Sequence, residues 1–409
     1  MDDRNPGDPP DPCPPGEELD AAIRQAFLAL DDFIVHESAR IVLGLTKEEY
    51  ATLQAGGEWD TSKDAERPKL PRAKAYDALS YPYAGSCAIM GLFNPQDRSL
   101  GVALTGDLRA VHGRRVPAPT SNSSQKYTYE ATALTADQNA SNASEAALLT
   151  AAHPDEPDLL KNSRVVGWGC SRAFGDGSMK WPLPVQHQLR EKYFGDRVRK
   201  EVKTPPYFTA EPVITRWEGK EGQGKVEKGD FVVFGSDGLW ECLENEEVIG
   251  LVGWWLEERG VRERVKEEKK KGVGRELMLP PVFKSSRQTF DDDSNNDTDD
   301  MDGAPPTPVK LHISRRPSSS SSASTTQKTK IPSDLPVIYP PTFKDSTTQH
   351  KLWRAEKKFV CEDENIAAHL VRNALGGADQ DLREAITGMD VGRCRRFRDD
   401  ISVVVVFFD

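Results

Sequence analysis

Three short stretches place carboxylates where a strand ends or the chain turns sharply. They are Asp176 in SRAFGDGSMKW, Asp237 in FVVFGSDGLWE, and the pair Asp399–Asp400 in RFRDDISVVVVFF. Asp237 stands at the C-terminal end of an apolar run, and Asp399–Asp400 at the N-terminal start of another. If the two runs pair as antiparallel neighbours, their acidic ends reach one rim of a sheet. Clustered carboxylates repel one another and hold protons more tightly unless a cation neutralises them. Oxygen donors without an accompanying set of Cys or His favour hard divalent ions, Mg²⁺ or Mn²⁺, over zinc. The glycines beside Asp176 and Asp237, Gly238 among them, allow tight turns that present backbone carbonyls. Taken singly, each corner reads equally as an ordinary Asp-Gly turn or a bend at a strand start, with Arg172 resting on a surface carboxylate.

The elements that must position these groups follow from hydrophobic period. GSCAIMGLF (85–93) and SLGVALTG (99–106) flank the turn NPQDR and predict a hairpin, with RAVHGRR as a third strand. FVVFGS (231–236) and the closing ISVVVVFF read as buried central strands. EELDAAIRQAFLALDDFIVHES carries apolar residues at helical spacing (Ala22, Ile23, Phe27, Leu28, Leu30, Ile34), with Asp31–Asp32 on a solvated face. Helices are also expected over 144–153, with Ser144 as N-cap, over 244–258 and over 364–375. Residues 52–74 are polar and weakly patterned, which predicts a loop. His153, His369, Trp254 and Trp255 fall in or beside helical patterns and are read as packing or surface groups.

Composition sets the limits. The 409 residues are only 37% hydrophobic and carry a net charge of −11. Part of the length is therefore not core. The acidic balance disfavours a general nucleic-acid or membrane-surface binder. Residues 1–16 are acidic and proline-rich and read as a disordered tail; 261–334 pass through DDDSNNDTDDMDG and RRPSSSSSASTT and read as a low-complexity insertion. That insertion interrupts one domain, 17–260 with 335–409, rather than separating two. Its serine run reads as a solvated linker or a kinase target. Six scattered cysteines without a C-x-x-C pair point to a reduced intracellular compartment. No apolar run approaches the roughly 20 residues that span a bilayer.

In order, GVALTGDLRAV, LTADQNASNASEAALLTAAHP, SRAFGDGSMKW, TPPYFTAEPVITRW, FVVFGSDGLWE and RDDISVVVV resemble the metal-dependent type 2C (PPM-type) Ser/Thr protein phosphatases. The wording ADQNASN, RAFGD…KW and PPYFTAEP is most similar to the pyruvate dehydrogenase phosphatase branch, a mitochondrial group. The resemblance implies an α+β fold, a four-layer α-β-β-α sandwich of two antiparallel sheets flanked by helices. It implies Mg²⁺ or Mn²⁺, as two or three ions. Asp237 and Asp399 match ligands of the core pair, Gly238 lies in the same motif, Asp176 and Glu241 match positions of a looser third ion, and Asp400 supports the site. Asp107 and Arg109 match structural positions. The implied reaction is in-line attack on phosphorus by a water bridging two ions. A phosphoprotein substrate and a regulatory subunit are the implied partners, with no nucleic acid and no membrane insertion.

One part of the family pattern is missing. No early strand ends in Asp-Gly-His-Gly-Gly, the motif whose Asp bridges the metals. The fold is thus expected to be N-terminally incomplete, either as a truncated active enzyme or as a catalytically inactive pseudophosphatase that binds or regulates. Weak binding of the metal pair and poor solubility through unpaired sheet edges are expected.

Overall fold

The computed structural model describes residues 16–118, 126–217, 225–270 and 328–409. The acidic tail and most of the low-complexity segment lie outside the described residues.

Period-2 alternation builds the centre. In β6 (Phe231–Gly235), between β3 (Arg109–Pro117) and β7 (Val403–Phe407), every residue is buried. Phe231 and Val233 point to one face and Val232 and Phe234 to the other. Burial on both faces explains why this strand reads as a continuous apolar run. The large sheet continues from β3 to β4 (Tyr127–Ala133) and the two-residue strand Val337–Ile338, the only parallel pairing in it. The smaller sheet has the order β1 (Ala88–Asn94), β2 (Ser99–Thr105), β5 (Val213–Arg216). The expected hairpin is the β1–β2 pair, in register from Ala88↔Thr105 to Asn94↔Ser99.

The two sheets face each other across Leu100 and Val102 on one side and Ala110, Val232 and Phe234 on the other. On the outer face of the large sheet, Phe231 and Val233 pack with Val248, Leu251, Val252 and Trp254 of α6 (Asn245–Lys270) and Leu370 of α7 (Ile366–Ala374). Beyond the small sheet, Arg216 of β5 bonds Asp20 and the Gly16 carbonyl of α1 (Gly16–Asp32). This is the helix–sheet–sheet–helix order expected of an α+β sandwich.

Several local expectations change. Residues 52–74 are not one loop: α2 (Lys47–Gln54), capped by Thr46 and Glu49, ends within them and α3 (Arg72–Tyr83) begins within them. Leu53, Ala75 and Leu79 pack with Val185 and Leu189 of α5 (Leu183–Tyr193) and with Trp181. The cap of α4 (Ala143–Ala152) is Asn142, whose side chain accepts from Ser144 N, and not Ser144. α6 runs past residue 260 to Lys270, and a two-residue strand lies at Thr329–Lys330; both fall inside the segment read as disordered. Asp31 is not on a solvated face. It is buried, accepting from Lys180 Nζ at 2.7 and 2.8 Å and from Gly175 N at 2.9 Å. Arg172 is buried on Glu145 at 2.8 Å, not on a surface carboxylate. No described helix is long and apolar enough to cross a membrane.

Candidate active site

The register of three strands decides which acidic groups meet. Gly235 at the end of β6 pairs with Arg109 at the start of β3 and with Val403 at the start of β7. Residues just beyond that row leave the sheet at the same rim. These are Asp237, then Asp107 on the β2–β3 corner, then Asp399 and Asp400. Asp237 and Asp399 therefore come together as the antiparallel pairing requires.

Backbone contacts fix the corner. Ser236 N donates to Ser402 O at 3.0 Å, Ser402 N to Ser236 Oγ at 3.0 Å, and Ser236 Oγ to Asp400 O at 2.8 Å. Gly238 is required by close approach, since a Cβ there would stand 2.6 Å from the Asp400 carbonyl oxygen. Asp237 Oδ1 accepts from Gly238 N at 2.8 Å, and Asp399 Oδ1 from Asp400 N at 2.7 Å. Glu241, one turn beyond Asp237, accepts from Gln349 Nε2 at 2.7 Å. Arg109 holds Asp137 through two nitrogens at 2.9 and 2.6 Å and bonds Asn245 at 2.9 Å, so it braces the corner.

Electrostatics marks Asp237 as the centre of the rim. Burial, then the charges of Asp107 and Asp399, then Glu241 push its carboxyl from 3.8 to about 7. Asp107 belongs to this group, although its motif position read as structural. Its carboxylate also accepts from Cys87 Sγ at 3.2 Å. The signal that could have found it is its place two residues before Arg109, mirroring Asp237 two residues after Gly235.

Asp176 has a different set of charged neighbours. It follows the two-residue strand Phe174–Gly175, in left-handed backbone at φ 47°. Burial pushes its carboxyl to about 6; Lys180 opposes and Asp31 adds to the shift. Its charged neighbours are thus Lys180 and Asp31, whereas those of Asp237 are Asp107, Asp399 and Glu241. The structure joins Asp237, Asp399, Glu241, Gly238 and Asp400 at one corner, while Asp176 lies against Gly85, two residues before the Cys87 that bonds Asp107.

The donor type at the rim suits a hard divalent ion. The donor arrangement falls short of a cage: among the described residues, no group of three or more His, Cys, Asp or Glu side chains is placed to hold a metal. The rim does not by itself amount to a two-ion centre.

The family model for protein phosphatase 2C matches residues 55–273, and the chain belongs to that family. It is 29% identical over 398 residues to a protein phosphatase 2C homolog of Schizosaccharomyces pombe, covering 97% of this chain and 64% of that protein. It is 30% identical over 402 residues to the mitochondrial [pyruvate dehydrogenase [acetyl-transferring]]-phosphatase 1 of Saccharomyces cerevisiae, covering 96% and 54%. The human protein of the same description is 25% identical over 350 residues, covering 82% and 49%. The chain thus spans 49% to 64% of these relatives' lengths.

Proposed function

We propose that the chain carries the hydrolytic rim of a metal-dependent protein serine/threonine phosphatase of the pyruvate dehydrogenase phosphatase type, acting on phosphoserine or phosphothreonine in a protein. The observation that supports it is the Asp237 carboxyl, held near neutrality by burial and by Asp107 and Asp399 on adjoining strand ends. Such a group is poised to exchange a proton for a divalent cation. Mg²⁺ or Mn²⁺ is the ion these oxygens suit, and Asp237 and Asp399 are its first contacts. With so few donors at the corner, affinity falls in the range of loosely built oxygen sites, on the order of 10⁻⁴–10⁻³ M. The relatives' mitochondrial designation makes the matrix the proposed compartment.

The test is release of phosphate from a phosphoserine peptide with Mn²⁺ and with chelator. Mn²⁺-dependent release, abolished by Asp237→Asn, supports the reading. Release that persists with chelator contradicts it. Absence of release, with phosphopeptide binding intact, would replace it by the inactive binding module.

A further inference from the structure

In a chain with a net charge of −11, Arg393, Arg395, Arg396 and Arg398 fall within one short run directly before Asp399. The structure sets this run on the short helix Val391–Cys394 and the turn that follows, where Phe397 N and Arg398 N both donate to Cys394 O at 2.8 Å. Trp353 Nε1 donates to Phe397 O at 2.8 Å. Trp353 closes the helix Gln349–Trp353, whose Gln349 bonds Glu241 at the rim. The turn is thus anchored beside the carboxylates.

The four arginines differ in what they have left to offer. Arg398 is committed to the Ile386 carbonyl at 3.3 Å. Arg395 stands 3.8 Å from Asp399, its side chain 75% exposed. Arg393 and Arg396 are exposed and have no side-chain hydrogen bond or ion pair among the described residues. Arg393 and Arg396, six and three residues before Asp399, keep their solvated guanidinium donors open to an anion.

The reaction supplies a reason. A phosphate ester approaching Asp107, Asp237, Asp399 and Glu241 meets like charge, and fixed cations alongside offset that repulsion. Guanidinium forks bind carboxylates and phosphates through paired hydrogen bonds. We propose that Arg393, Arg395 and Arg396 form the recognition surface for the substrate segment, selecting phosphoserine or phosphothreonine flanked by further acidic residues. This rests on the phosphatase reading and names the substrate class of the same rim.

The test uses fluorescein-labelled phosphoserine peptides with flanking Asp, or with Asn in its place, and anisotropy in chelating buffer, so that binding is read without hydrolysis. The wild type is expected to bind the Asp peptide about tenfold more tightly than the Asn peptide. The triple variant Arg393→Ala, Arg395→Ala, Arg396→Ala should bind both alike, and the triple Lys variant should keep part of the preference. Equal binding by the wild type, or a preference surviving in a folded Ala variant, overturns the proposal. So does tighter binding of a single-stranded oligonucleotide than of the Asp peptide. Should the Ala variant unfold, an ionic-strength series on the wild type decides: the preference must vanish by about 0.5 M salt, and its persistence overturns the proposal. Hydrolysis is measured separately with Mn²⁺ on the Asn peptide. Its absence would remove the phosphatase reading while an arginine-dependent preference stands.

Discussion

At the rim, Asp237 holds a proton far above the ordinary carboxylate range because burial and three acidic neighbours disfavour its charge. The sign of the stability effect follows. Between about pH 4 and pH 7 the folded protein keeps a proton that the unfolded chain has released, so stability is full below that window and falls as pH rises through it. Asp237→Asn removes the titration. In metal-free buffer at pH 7.5 the variant should melt about 3 °C or more above the wild type, and at pH 4 the difference should shrink. A calorimetric scan at both pH values checks this. Asp31 contributes through an ion pair. It is the main opposite charge facing Lys180, whose ammonium burial otherwise disfavours. Asp31→Ala leaves that cation uncompensated and should cost about 3–5 kcal/mol in chemical denaturation. Asp237 and Asp399 were legible in the sequence because strand ends and antiparallel pairing are local patterns. Asp31 was not, since its partner lies 149 residues away and a two-acid step on a helix looks solvated. Asp176 stands next to the same far-off ion pair, which no spacing rule reveals.

Among the elements, β6 is where sequence and packing agree most closely. Its alternation feeds both cores, Phe231 beneath α6 and Phe234 between the sheets. Phe231→Ala should cost about 3–5 kcal/mol, read as a shifted denaturant midpoint with an unchanged slope. The helices show why periodicity succeeds or fails. α7 was legible because its buried face, His369, Leu370, Asn373 and Ala374, repeats at helical spacing. α2 and α3 bury few side chains each, Tyr50 and Leu53 in one and Ala75, Leu79 and Pro82 in the other. So thin a stripe in a polar stretch reads as loop. α1 gave the reverse difficulty: of its apolar residues only Ile23 is buried, while Leu28 and Leu30 are exposed.

Across the whole molecule, both sheets end in strands with a free edge on the same side. Among the described residues β7 pairs only with β6, and β1 only with β2. Between these edges runs an apolar groove of about 280 Å³ lined by Ile89, Phe93, Leu100, Phe234, Val404 and Phe408. Val404 and Phe407 remain substantially exposed. Unpaired, apolar edges template further pairing. The chain should therefore associate with rising concentration in sedimentation velocity, and Val404→Lys with Val406→Lys should shift it toward monomer without loss of helical content. A wild type that stays monomeric at high concentration and melts sharply would contradict this. The sandwich was legible from the order of its motifs. The pairing of Asp176 with Lys180 and Asp31 and the membership of Asp107 at the rim were not, because each depends on how distant turns pack.

The central claim is that strand register gathers Asp237 and Asp399 into a site for a divalent cation. Titration calorimetry of Mn²⁺ into the purified chain at pH 7.5 tests it most directly. Weak, saturable uptake is expected, lost in Asp237→Asn and in Asp399→Asn and retained in Asp176→Asn, with an observed heat that varies with buffer ionisation enthalpy and so reports proton release. Uptake unchanged by Asp237→Asn, or abolished by Asp176→Asn alone, would contradict the account.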